Sequence, residues 1–130
     1  MERSADWLRQ AERDLLAARD SAAASHHEWA AFQSQQGGEK AVKALFQFLH
    51  GSVRGHGITG MLKQLPGGLP IPEPLLDAAR ELDKVYVTAR YPNGFASGVP
   101  GDYFTARTSQ QLIEHARTII EFCRSKIHGS

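Results

Sequence analysis

The chain has 130 residues, of which 42% are hydrophobic and 22% charged, and a formal net charge of +1. That length predicts one domain, and the apolar fraction supports a core without disulfides or a structural metal. The near-zero charge argues against a DNA-binding or membrane-surface protein, and the single Cys123 excludes an intramolecular disulfide.

Apolar residues recur at helical spacing from end to end. Leu8, Ala11, Leu15, Ala18 and Ala22 make one stripe, predicting a helix over residues 3–23 with Arg9, Arg13 and Asp20 in solvent. Ser25 and Glu28 have capping-box spacing, so a second helix is predicted over 26–49. Gly37 and Gly38 lie in its middle, at a cost of roughly 2 kcal/mol relative to alanine. We read the helix as continuous, with another helix or subunit approaching closely there. Gly51 is the expected C-cap. A short helix over 58–65 follows, stopped by Pro66-Gly67-Gly68. Pro70 and Pro72 keep the chain extended. Pro74 suits the first turn of a fourth helix, which carries Leu75, Leu76, Ala79, Leu82 and Tyr86 and ends near Val87. Thr105 or Thr108 caps the last helix, whose stripe is Leu112, Ala116, Ile119, Ile120, Cys123 and Ile127. No segment alternates with period two. The expected fold is all-α: an up-and-down bundle of four long helices plus one short helix, in a single domain over 1–130.

The segment 88–104 interrupts this pattern. It carries Arg90, Tyr91, Phe95 and Tyr103, two prolines and three glycines. Loops this long are usually functional or disordered, and aromatics argue against disorder. The N-terminus lacks the apolar region of a signal peptide, and no run is long enough to span a membrane. With one cysteine, the expected compartment is the cytoplasm.

These segments, taken in order, resemble the HEPN domain family. The likeness rests on Ala11-Glu12-Arg13-Asp14-Leu15 and Glu28-Trp29-Ala30-Ala31-Phe32, then on Gln35-Gln36 and the run from Glu39 to Leu45. It continues through Gly55-His56, Ala79-Arg80-Glu81-Leu82-Asp83, Arg90-Tyr91-Pro92 and Asp102-Tyr103-Phe104-Thr105. The chain is similar to stand-alone prokaryotic HEPN proteins and to the C-terminal HEPN domain of sacsin. The resemblance implies a helical bundle that forms a homodimer and binds nucleotides. It also implies pairing, in many prokaryotic members, with a minimal nucleotidyltransferase in toxin–antitoxin-like modules. HEPN ribonucleases carry an arginine and a histidine with four to six residues between them. Here Arg90 is followed by Tyr-Pro-Asn-Gly-Phe-Ala, and the Arg19/His26 pair sits at the wrong end of the bundle. No catalytic residue is therefore assigned.

The candidate nucleotide-binding residues are Arg90, Tyr91, Lys40, Lys43 and His56. Arg90 can grip a phosphate bidentately, pair with a carboxylate or cap helix-four carbonyls. Tyr91 can stack on a base or shape the loop. Lys40 and Lys43 share a helix face, for phosphate or for water. His56 sits where a ligand contact or a helix cap is expected. Trp29 and Phe32 read as core or dimer interface. His26-His27 lacks the partners of a metal site, and Cys123 reads as an inert core thiol. No cofactor is required; the expected ligand is a nucleotide, ATP or GTP. A protein-interaction role, with a nucleotidyltransferase or a chaperone system, is the alternative, and a divergent ribonuclease the third class.

Overall fold

The computed structural model describes residues 2–55 and 57–129. Six α-helices occur among them: α1 (Ser4–Ala23), α2 (His27–Phe48), α3 (Ile58–Lys63), α4 (Glu73–Asp83), α5 (Val85–Thr88) and α6 (Ala106–His128). The described residues contain no strand. The four long helices are those expected. α2 is central and packs against α1 and α6 along much of its length. The α1 and α6 stripes are the buried sides of those contacts, from Leu8, Ala11, Leu15 and Ala18 to Leu112, Ala116, Ile119, Ile120 and Cys123. The fourth helix is not one uniform element. α4 ends at Asp83 and a separate turn, α5, carries the chain to Thr88, although Lys84 between them keeps helical dihedrals.

Gly37 and Gly38 lie inside a continuous α2. A Cβ on Gly37 would stand 3.2 Å from the Ala11 carbonyl oxygen of α1. One on Gly38 would stand 3.1 Å from both Ile58 and Leu82. The glycines thus admit neighbouring helices of the same chain. They lend no support to a subunit contact.

Two expected caps are placed differently. Ser25 does not cap α2. It adopts a left-handed φ of 66° and ends α1, with its N–H donating to Ala22 O and that of His26 to Ser21 O. Only three residues join the helices, and the Schellman closure of α1 uses Ser25 up. The Glu28 carboxylate instead lies beside Gly101, where a Cβ would be 2.8 Å from Oε2. At the other end of α2, His50 rather than Gly51 takes the left-handed position (φ 59°), and Gly51 N–H donates to Phe46 O. Gly51 is small for a different reason: a Cβ there would be 2.7 Å from Pro66.

The short α3 is held from outside. Asp83, at the end of α4, accepts hydrogen bonds from the Ile58 and Thr59 N–H groups at 2.7 and 3.1 Å. The segment after α5 is ordered by its own contacts. Phe95 and Tyr103 stack with ring centroids 4.1 Å apart, Tyr103 Oη donates to Ser97 O, and Asp102 accepts from Val99 N–H. Thr105 then caps α6 by accepting from Thr108 N–H.

Burial pushes the Cys123 thiol from 9.0 up to about 12. Between those pH values the unfolded chain binds fewer protons than the folded one, so stability falls as pH rises. At pH 10.5 the expected loss from this group is on the order of 2 kcal/mol. Denaturant titrations at pH 8 and 10.5 should show a shallower pH dependence in Cys123→Ala.

Candidate functional site

The site forms where α5 ends against the first turns of α2. Arg90 follows one residue after α5, and its backbone N–H still donates to Val87 O. Its side chain folds back, and Nε donates to Tyr86 O at 3.0 Å. That places the guanidinium against three rings, at 4.5 Å from Phe32, 4.7 Å from Tyr86 and 5.0 Å from Tyr91. Cation–π contacts of this kind are worth about 0.5–2 kcal/mol each, more as water is excluded. Trp29 extends the cluster edge-on to Phe32, with centroids 6.4 Å apart.

Arg90 therefore caps a carbonyl of the preceding helix and pairs with no carboxylate among the described residues. Its Nε is used, while neither Nη group has a hydrogen-bond partner among the described residues. A planar guanidinium held on its faces by rings, with its Nη edge unpaired, is the arrangement that recognises phosphate or carboxylate. Trp29 and Tyr91 are each 49% exposed and offer ring surface to solvent within the same cluster. Trp29 is thus not a core residue.

The other sequence candidates lie elsewhere or carry partners. Lys40 forms a 2.6 Å ion pair with Asp14 of α1. Lys43 pairs with the buried Glu39 at 3.0 Å and lies over the Trp7 ring. The two lysines lie eight and eleven residues beyond Phe32 on α2, roughly 12 and 17 Å along its axis. His56 lies outside the described residues. Gln35 is fully buried beside these groups, bonding to Glu39 and accepting from Gln36. Among the described residues, no three His, Cys, Asp or Glu side chains gather as a metal site. No helix among them is long and apolar enough to cross a membrane.

The sequence pointed to Arg90 and Tyr91 but not to the rings that hold Arg90. Phe32 precedes it by 58 positions and reads as an ordinary apolar helix residue. The one signal was the Trp29-x-x-Phe32 pair at helical spacing, which also fits a core.

The HEPN domain family model matches residues 4–126. The chain is similar to the crystal structure of TT1696 from Thermus thermophilus (TM-score 0.94, 34% identity, covering 97% of this chain and 99% of that one). It is also similar to ST0689, an archaeal HEPN homologue (0.84, 39%, 98% and 99%). A third similar structure is an HEPN domain protein of Thermotoga maritima (0.78, 32%, 95% and 98%). No curated protein matches the chain.

Proposed function

We propose, from the premise that this chain belongs to the HEPN domain family, that it is a non-catalytic, homodimeric module that binds a nucleotide at Arg90. The observation that carries this reading is the Arg90 guanidinium, fixed by Phe32, Tyr86 and Tyr91, with both Nη groups unpaired among the described residues. A phosphate oxygen pair fits that edge, and a base fits the half-exposed face of Tyr91 or Trp29. Lys40 and Lys43 contribute only by leaving Asp14 and Glu39, so we place them outside the first contact. The ligand class is a nucleoside triphosphate, ATP or GTP.

A thermal-shift series against ATP, GTP, UTP and CTP, with and without magnesium, tests the reading. A ligand at 100 times its dissociation constant adds about 2.7 kcal/mol to stability, which is several degrees in a domain this size. Sedimentation at micromolar concentration should show a dimer; a monomer contradicts that part.

A second reading has its own support. Trp29, Val87 and Tyr91 are exposed by 48–49% around the same arginine. Tryptophan, tyrosine and arginine are the residues enriched at protein-binding hot spots. In that reading the surface docks a protein, a nucleotidyltransferase or a chaperone-system component, in a cytoplasmic pair. The absence of any shift with millimolar nucleotide favours it.

A further inference from the structure

We infer that the cleft between the end of α1 and the starts of α2 and α6 is a second anion site, shaped for a phosphate monoester. The cleft has a volume of about 420 Å³, and Arg19, His27, Ser109 and Gln110 line it together with the apolar Ala106 and Ile113. It is distinct from the Arg90 cage. His27 and Phe32 are five residues apart on α2, about 140° round the helix.

Three features give it this chemistry. Arg19 has no ion pair or hydrogen bond among the described residues, so its five donors are uncommitted. Glu114, an acid on the neighbouring stretch of α6, is hydrogen-bonded by Arg117, which holds its carboxyl below the usual range; Arg19 adds to this only as a nearby charge and makes no bond to it. The His27 ring is fixed by its Nδ1, 2.9 Å from the Oγ of Ser109, a side chain only 1% exposed. The Ser109 hydroxyl donates to Ala106 O at 3.1 Å, so it accepts from His27 Nδ1–H, and Nε2 faces the cleft as an acceptor with no other partner among the described residues. Finally, no carboxylate lines the cleft. The lysines of α2 differ on this point, since each already faces an acid.

Arginine and amide donors and an imidazole acceptor come from three different helices. They suit a monoprotonated phosphate, whose oxygens accept from Arg19 and Gln110 while its hydroxyl donates to His27 Nε2, better than a carboxylate. The volume exceeds what a bare anion fills, and Ala106 and Ile113 provide an apolar wall for the carbon body of an ester. The N-terminal ends of α2 and α6 favour negative charge here, while the C-terminal end of α1 opposes it, so the charge of Arg19 has to carry the attraction.

The test is an NMR titration of the phosphate-free protein with methyl phosphate, inorganic phosphate and acetate. The reporters are the His27 ring protons and the Gln110 side-chain amide. Saturable shifts are expected with methyl phosphate, weaker binding with inorganic phosphate and none with acetate. Arg19→Ala should weaken methyl phosphate at least tenfold. His27→Gln, which keeps a polar group near Ser109, should weaken it by a similar factor. Arg90→Ala should leave these shifts unchanged, so this site and the Arg90 site succeed or fail separately. Absent or unsaturable shifts, or an affinity indifferent to Arg19→Ala, overturn the site. Equal affinity for inorganic phosphate overturns the ester assignment.

Discussion

Gly37→Val is expected to lower the unfolding free energy by about 3 kcal/mol, the upper range for overpacking a filled core. That corresponds to about 10 °C in melting temperature for a chain of this length. At Gly37 even a bare Cβ would come within 3.2 Å of the Ala11 carbonyl oxygen and 3.5 Å of Asp14 and Ile120. The first of these is helix backbone, which cannot rotate away as a side-chain tip can. Valine adds two methyl groups to that contact. It must push α1 or α6 off α2, and those are the packings that bury the two longest apolar stripes. A better helix former gains only about 0.5–1 kcal/mol over glycine. Gly60 is the internal control. It is exposed, and a Cβ there meets nothing nearer than Gln64 Nε2 at 3.9 Å. Gly60→Ala should therefore be neutral or stabilising by up to about 1 kcal/mol. Thermal melts should place Gly37→Val well below the native protein and Gly60→Ala at or above it. A Gly37→Val protein melting with the native one would show that the α1–α2 packing is not as tight as described.

The second large effect is expected at Asp83. Its two carboxylate oxygens satisfy two of the N-terminal N–H groups of α3, which has no side-chain cap of its own. Asp83→Ala leaves both donors unpaired, at a cost of about 2 kcal/mol. The loss should be local. α3 is six residues long and too short to persist without tertiary support. Its amides should exchange with solvent at least tenfold faster, while those of α6 change only in proportion to global stability. Asp83→Asn keeps one acceptor oxygen and should recover part of the difference. If the α3 amides stay as protected in Asp83→Ala as in the native chain, burial of Ile58, Met61 and Leu62 holds the helix without the cap.

The sequence was most legible where periodicity alone decides the outcome. The stripes of α1 and α6 repeat over several turns, so a few residues of error at each end change nothing. The glycine pair of α2 was legible as a close approach, but its direction was not. Sequence spacing does not say whether Ala11 or a second subunit arrives at Gly37. Thr105 caps α6 as expected, but the expected caps at the two ends of α2 failed for a physical reason. Ser25 and His50 occupy left-handed positions that glycine or asparagine usually takes, and the Schellman bonds across each helix end select them in place of the expected residues.

At the site, Arg90 could be singled out because an arginine among aromatics in a long loop is unusual. Its geometry could not be read, because Phe32 and Tyr86 reach it from two other elements. The partner of Lys40 was hidden for a related reason: Asp14 lies 26 positions away, on another helix. Glu39, four residues before Lys43 on α2, was within reach of spacing alone. The His27–Ser109 contact spans 82 positions. No local pattern marks it, and only the packing of α6 against α2 brings the two side chains together.

The most direct test of the nucleotide reading is calorimetric titration of the native protein, Arg90→Lys and Arg90→Ala with ATP and GTP. Lysine keeps the charge but loses the planar fork and its stacking on Phe32 and Tyr86. Saturable binding to the native protein is expected. Binding to Arg90→Lys should be at least tenfold weaker, about 1.4 kcal/mol, and binding to Arg90→Ala not measurable. Native-like affinity in both variants would contradict the placement of the phosphate at Arg90. No binding heat from the native protein would contradict nucleotide recognition itself.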